Sequence, residues 1–313
     1  MPEPGAMAAN QCHRDSFDNL VREQEAQGFV TVMQLGEITV HRIVEHEVPV
    51  YLPTDMFDDA IPEAVEPYRD WLVPKALCPR TGCLVMPVVS YLVRTRHHCI
   101  LIDTCVGCDK TYAEPPAWHQ RENERWLAGL AAAGAHPDEV DFVFCTHLHS
   151  DHCGWNTRLV DGRWKPTFRN AKYVFSREEY AATEAEGHQL FLDNVLPVME
   201  ARQAVLVDMD YALDDELWLE PTTGHTAGHV AVHLRSGPHR AAMCGDLIHS
   251  PLQLVEPDWS CNSDFDLLLA ARTRKKFLRT HCDTETLILT SHFPSPSVGR
   301  IVSSANRYDF NYL

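Results

Sequence analysis

The stretch Thr146-His147-Leu148-His149-Ser150-Asp151-His152-Cys153-Gly154 places three imidazoles and one carboxylate within six residues. It follows the apolar run Phe142-Val143-Phe144-Cys145, which has the length and composition of a buried strand. A strand that ends in such a cluster presents its donors from a rigid edge. Histidine with aspartate, without paired cysteines, suits zinc or a similar divalent ion. The stretch therefore reads as a metal site whose nuclearity the local spacing leaves open.

Composition narrows the rest. At 313 residues the chain is long enough for one large α/β domain or two smaller ones, and 45% hydrophobic residues can build a sizeable core. With 27 Lys and Arg against 44 Asp and Glu, the formal charge is −17. Such a field repels phosphate backbones and anionic lipid, so no nucleic-acid or membrane partner is expected and a small-molecule substrate is. No run of 18 apolar residues suggests a membrane span, and the first 20 residues are too polar for a signal peptide. Eleven cysteines without a disulfide spacing read as reduced thiols of a cytoplasmic protein. The pair Cys105-Val-Gly-Cys108 reads as small residues at a strand-to-loop turn rather than as a redox pair.

Along the chain, residues 1–35 look like a polar N-terminal arm with a short helix at 16–27, and 37–50 like one or two strands. Prolines at 53, 62, 67, 74 and 79 punctuate an insertion over 51–82, with a helix at 61–72. It is expected to lie near the mouth of the site or at a subunit contact. Strands follow at 84–93 and 99–103, a helix at 123–133 and the strand 141–145. Beyond the histidine cluster come a strand at 172–175, one long helix over 177–202, and strands at 204–207, 217–219, 229–234, 241–244 and 286–289. A helix at 264–280 precedes the last of these strands. No linker, repeat or low-complexity tract divides the chain, so residues 1–313 are expected to form a single domain of two packed sheets with helices outside.

Three further residues share the pattern of a donor standing where an apolar strand ends. His225 follows Leu217-Trp218-Leu219 after a turn, Asp246 follows residues 241–245, and His292 follows residues 287–291. Strand ends in such proteins converge on one rim. With the opening cluster they make seven donors, more than one tetrahedral zinc needs and enough for two metals sharing a carboxylate.

Taken together, HLHSDH at 147–152, the GHT that includes His225, GD at 245–246 and SH at 291–292 resemble the metallo-β-lactamase superfamily, in its order. Leu101-Ile102-Asp103-Thr104 resembles that superfamily's first motif, and the resemblance covers about residues 84–295. It implies an α/β fold, a four-layer αβ/βα sandwich of two mixed β-sheets flanked by helices, with the site at one edge. Carried over, His147, His149 and His225 would bind one of two Zn2+ or other divalent ions. Asp151, His152 and His292 would bind the second, and Asp246 would bridge them. Asp103 would support a ligating imidazole from behind, as would His229. A homodimer is a family-level expectation only.

Departures separate the branches. The retained Asp246 argues against a true β-lactamase, which lacks that bridge, and His149 stands where diiron flavoproteins have glutamate. RNA-processing members need a basic face. The lactonase, organophosphate-hydrolase and thioesterase branches remain. Lactonases usually place a tyrosine three residues after the bridging aspartate, whereas this chain has His249. That sets the site apart from the acyl-homoserine lactone pattern but not from lactone or ester chemistry. The expected activity is cleavage of a carboxylic ester or lactone of a small, apolar molecule by a metal-bridging hydroxide, with Asp151 and Asp246 at the reacting centre. His249 is the candidate for substrate contact or proton delivery, and Trp155 and Phe293 are candidates to line an apolar pocket. Phosphotriester or thioester hydrolysis are the alternatives on the same site. A mononuclear-iron persulfide dioxygenase and a non-catalytic metal protein are the alternatives of other classes.

Overall fold

Strand β2 (Ile38–Tyr51) is the longest described strand of the computed structural model, which describes residues 30–313 apart from 113, 114, 116, 117, 123 and 306. The helix expected at 16–27 lies outside the described residues. The expected arm ends early, because Val30–Leu35 forms a strand, β1, antiparallel to β2. β2 also pairs with β3 (Leu84–Arg94), which pairs with β4 (Cys99–Ile102). Next come β5 (Phe142–Phe144), the hairpin β6 (Thr157–Val160) and β7 (Arg163–Pro166), β8 (Lys172–Ser176) and β9 (Ala204–Val207). The first sheet runs β1-β2-β3-β4-β5-β8-β9. The second contains β10 (Leu217–Pro221), β11 (Val230–Ser236), β12 (His239–Met243), β13 (Leu287–Leu289), β14 (Val298–Ser304) and β15 (Arg307–Tyr312), in that order.

The two-residue period of the strands builds the layers. In β3, Val89, Tyr91 and Val93 point into the core between the sheets, while Val88 and Leu92 point to the opposite face. In β4, Ile100 and Ile102 join the inter-sheet core and Leu101 the outer one, so the whole strand is apolar. From the second sheet, Leu217, Leu219, Val232, Leu234, Met243 and Leu289 meet them. Outside the first sheet, Trp126 and Leu130 of the helix Arg125–Ala132 close the outer core. Outside the second, Phe277 and Leu278 of the helix Leu267–His281 pack on Ala231, Ala242 and Ile288. The result is the expected four-layer αβ/βα sandwich. Among the described residues no helix is long and apolar enough to cross a membrane.

Local chemistry alters some expected elements. The single helix over 177–202 is three: Arg177–Glu186, Gln189–Asn194 and Leu196–Glu200. Gly187 ends the first in the left-handed region, its N–H returning to Thr183 O, and Pro197 stands in the first turn of the third. The 61–72 helix is two short turns, Pro62–Val65 and Arg69–Leu72, joined by a 3₁₀ turn that contains Pro67. The sequence predicts the turn at Asp161-Gly162 but not the flanking strands β6 and β7, nor the C-terminal hairpin β14–β15. Asp161 and Gly162, both at positive φ, form the β6–β7 turn.

Polar bonds cross between the sheets at both ends: Glu37 N donates to Ser236 Oγ at 2.9 Å away from the rim, and others lie near it. The buried Tyr91 hydroxyl donates to Thr290 O at 2.8 Å, and His292 Nδ1 lies 2.8 Å from Pro87 O. Tyr91→Phe removes the Tyr91–Thr290 tie while keeping the ring. We expect it to lower unfolding free energy by about 1 kcal/mol in chemical denaturation, the net value of one such bond.

Candidate metal centre

β4 runs parallel to β5 in the first sheet, and β12 runs parallel to β13 in the second. The C-terminal ends of these pairs lead into Asp103, the 146–154 loop, Asp246 and His292, while the β10–β11 connection carries His225 and His229. Backbone bonds tie the loops together: Val230 N donates to Thr146 O at 3.0 Å and Thr104 N to His152 O at 2.8 Å. Two glycines permit this closeness. A Cβ on Gly154 would stand 1.9 Å from Val106 O. At Gly245, with φ +51°, a Cβ would stand 2.6 Å from His229 Nε2.

The Asp246 carboxylate stands between two groups of donors. Its Oδ2 lies 3.8 Å from His147 Nε2 and 3.5 Å from His225 Nε2, and His149 Nδ1 is 2.9 Å from that same His225 nitrogen. Its Oδ1 lies 3.1 Å from both His152 Nε2 and His292 Nε2. Asp151 Oδ2 is 3.6 Å and 3.4 Å from those two nitrogens. Within the group His147, His149, His225 and Asp246, and within the group Asp151, His152 and His292, the donor atoms fall within 4.8 Å of one another. All seven donors read from the sequence are thus brought to one place.

These residues fit divalent metal ions. His147 Nε2, His152 Nε2 and Asp246 Oδ1 are buried without a hydrogen bond, a cost that a cation among them would relieve. The far nitrogens of four rings are engaged by protein: His147 by Thr146 Oγ1 at 3.1 Å, His152 by Asp103 at 2.8 Å, His225 by Asp264 at 2.7 Å, and His292 by Pro87 O. That arrangement fixes the rings and aims the other nitrogen inward. Burial pushes His147 and His225 well below the ordinary imidazole range and His149 down to about 3, which leaves those rings neutral, as ligation requires. Burial also opposes charge at His152, but the carboxylates of Asp246, Asp151 and Asp103 outweigh it and hold that ring well above its usual value.

Asp103 and His229 sit behind the donors, as expected. Asp103 accepts from Thr146 N at 2.8 Å as well as meeting His152. His229 Nε2 accepts from Asp246 N at 3.0 Å, and its Nδ1 is 2.8 Å from Thr222 Oγ1, so it positions the Asp246 backbone. Sequence reading missed three further supports. Asp264, taken as the start of a helix that begins at Leu267, instead holds His225. The buried Glu179 accepts from Leu148 N, Thr226 Oγ1 and Gly228 N, joining two donor loops. Glu45, also buried, accepts from Val106 N, Gly107 N and Trp155 Nε1. A carboxylate inside a long strand carries no motif that would announce such a role.

A cavity of about 470 Å³ opens over the donors, with Tyr51, Met56, Met86, Trp118, His249 and Cys261 among its walls. Tyr51 and Met56 bring the 51–82 segment to the mouth. Trp155 and Phe293 do not line this cavity, contrary to the expectation from their places beside the donor loops. Trp155 is buried, stacked on Trp126 at 5.6 Å, and Phe293 is buried against Phe310 at 5.1 Å. Both rings were needed inside the outer cores. His249 Nε2 lies 3.2 Å from Asp246 Oδ2. Burial opposes its protonation, but Cys261 and Asp246 outweigh that and hold it well above its usual value. Cys105 and Cys108 are both buried, and burial pushes Cys108 up to about 12, which suits packing rather than redox exchange.

Two facing mixed sheets with His- and Asp-bearing loops along one rim define a metal-site sandwich of the αβ/βα class. The metallo-β-lactamase superfamily model matches residues 84–289, and the chain belongs to that superfamily. An N-acyl homoserine lactonase of Bacillus sp is 26% identical over 168 residues, 50% of this chain and 62% of the relative. One of Bacillus cereus is 27% identical over 156 residues, 47% of this chain and 57% of the relative. The chain therefore spans about three-fifths of the length of these curated relatives. Among solved structures, the hydrolase AbOPH of the β-lactamase superfamily matches with a TM-score of 0.77 at 20% identity, covering 91% of this chain and 98% of that one. AidC, described as a dizinc quorum-quenching lactonase in complex with a product, matches with a TM-score of 0.74 at 23% identity, covering 91% and 97%.

Removing a carboxylate that holds an imidazole from behind tests the donor assignment without touching a donor. Asp264→Ala and Asp103→Ala are each expected to weaken zinc binding by about 10–100-fold, measured by competition with a chromophoric chelator. Unchanged affinity in both would separate these carboxylates from metal binding.

Proposed function

We propose that this chain is a two-metal hydrolase that opens the ester bond of a small, largely apolar lactone or carboxylic ester. The observation that carries this reading is the Asp246 carboxylate, one oxygen turned toward each donor group, beneath a cavity with apolar walls. On this reading His147, His149 and His225 hold one ion, Asp151, His152 and His292 hold the other, and Asp246 touches both. Zinc suits these nitrogen and oxygen donors. Bound there, such ions polarise a carbonyl oxygen and acidify water. Two donor groups favour this reading over a single-iron oxidoreductase, which needs one.

The chain's own residues have distinct tasks. Asp246 is the carboxylate placed to accept a proton from an attacking water. His249 Nε2, 3.2 Å from Asp246 Oδ2 and exposed to the cavity, is placed to carry a proton to the departing alkoxide oxygen. Tyr51, Met56, Met86 and Trp118 offer an apolar surface to the organic part of the substrate and exclude water from it. Residues 30–313 then work as one catalytic unit, with the 51–82 segment as part of its substrate-facing wall. The names of the Bacillus relatives, N-acyl homoserine lactonases, support a lactone over an open-chain ester. His249 at the third position after Asp246 favours a lactone other than an acyl-homoserine lactone.

Zinc-loaded protein is expected to hold two zinc ions at this rim and to hydrolyse lactones faster than aryl esters, thioesters or phosphotriesters. Metal-replete protein inactive on all four would sink the reading. His249→Gln is expected to keep both zinc ions and to lower kcat by about 100-fold or more, the usual size of a lost acid–base group, with KM little changed. An unaltered kcat would take His249 off the proton path.

A further inference from the structure

A second set of metal-type donors lies outside this rim, on the outer face of the second sheet. Trp218 and Glu220 of β10 share that face with His233 of β11, because Trp218 is paired with His233 and Glu220 stands two residues along. The helix Leu267–His281 covers the face and ends at His281. Glu220 Oε2 is 2.7 Å from His233 Nε2, and the His233 and His281 ring centres are 5.9 Å apart. One donor atom from each of Glu220, His233 and His281 falls within 4.8 Å of the others.

His281 gives the cluster its direction. The residue is 8% exposed and its Nε2 is buried without a hydrogen bond. A buried imidazole nitrogen with no partner, beside a second imidazole and a carboxylate, lacks a charge-bearing atom at its centre. Tetrahedral zinc with bonds of about 2.0–2.2 Å places its ligands roughly 3.3–3.6 Å apart. The Glu220–His233 separation lies below that range and the other two are no more than 4.8 Å, so small side-chain rotations would suffice. Glu220 can supply Oε2, since Lys276, 3.8 Å away, approaches the other oxygen and is itself exposed. The Glu220 side chain is 31% exposed, which opens a path for an ion and leaves room for water in a fourth position. Trp218 stacks on His233 at 5.2 Å and Phe277 packs on His281 at 4.4 Å, so both rings are held in place.

We infer that Glu220, His233 and His281 form a separate binding site for one divalent transition-metal ion, zinc being the best match to two imidazoles and a carboxylate. The site joins the end of the helix to the second sheet. It shares no residue with the rim beneath the cavity, so an ion here acts on the packing of that helix rather than on the reaction.

The test counts metal by difference. Full-length protein is equilibrated with zinc and its metal content measured for the native chain, His281→Gln, and the double variant His233→Gln/His281→Gln. Each variant is expected to bind one zinc fewer than the native chain, whatever number the rim holds, and to keep native turnover. Cobalt-substituted native protein is expected to show one set of visible absorption bands that both variants lose. Equal zinc content in native and variant proteins, or identical cobalt spectra, would overturn the inference. Should His281→Gln fold poorly, Glu220→Gln leaves both buried rings intact and is expected to lower affinity for the extra ion, and an unchanged affinity there would overturn it equally. Because the readout is a difference, a rim that holds one ion or none would leave this result legible.

Discussion

The whole arrangement depends on where the Asp246 carboxylate is held. It is buried among histidines from three separate loops, and its two oxygens look in opposite directions, toward different donor groups. Its backbone is fixed by a bond to His229 and by the left-handed turn at Gly245, where any side chain would strike His229 and Thr146. Protein contacts alone therefore pin the acid's backbone. Burial alone would favour its neutral form, yet the surrounding His152, His292 and His249 hold its pKa well below the usual carboxylate range. Charge is concentrated at that one point, and the donors are ordered around it.

The donors come from both sheets, so the site exists only when the two halves are docked. β5 and β11 are joined at Thr146 and Val230, and β3 meets the last donor loop through Tyr91 and Pro87. Buried carboxylates do the joining elsewhere: Glu179 ties the loop of Leu148 to that of Thr226, and Glu45 fixes the turn against which Gly154 rests. Each buried acid is surrounded by hydrogen-bond donors, which offset the cost of taking it out of water. Donor geometry and fold stability are thus one set of interactions near the rim.

Much of this was legible in the chain itself. All seven donors announce themselves by standing at the ends of apolar runs, Asp103 by the resemblance of residues 101–104 to the superfamily's first motif, and His229 by its place four residues beyond His225. The central strands are legible in the nearly continuous apolar runs of β3 and β4. What could not be read has a physical cause in each case. Asp264 and Glu179 act through contacts to loops tens of residues away, and local spacing is silent about those. Trp155 and Phe293 follow donor loops in sequence, but a large ring beside a rim can turn inward, and here the outer cores take both. The 177–202 stretch keeps one helical periodicity while Gly187 and Pro197 break its backbone, so the apolar pattern survived where the helix did not.

The cavity wall and the donor rim are built from different parts of the chain. Tyr51, Met56 and Met86 come from the end of β2, the following segment and the start of β3, whereas the donors occupy loops after β5, β10, β12 and β13. Selectivity and reactivity can consequently drift apart during evolution: wall residues can be exchanged, and a new compound admitted, while the chemistry beneath stays intact. His249 is the exception. Three residues beyond Asp246 and in contact with it, it belongs to wall and rim at once. Under the proposed function, a change there would alter what is admitted and how it is processed in a single step.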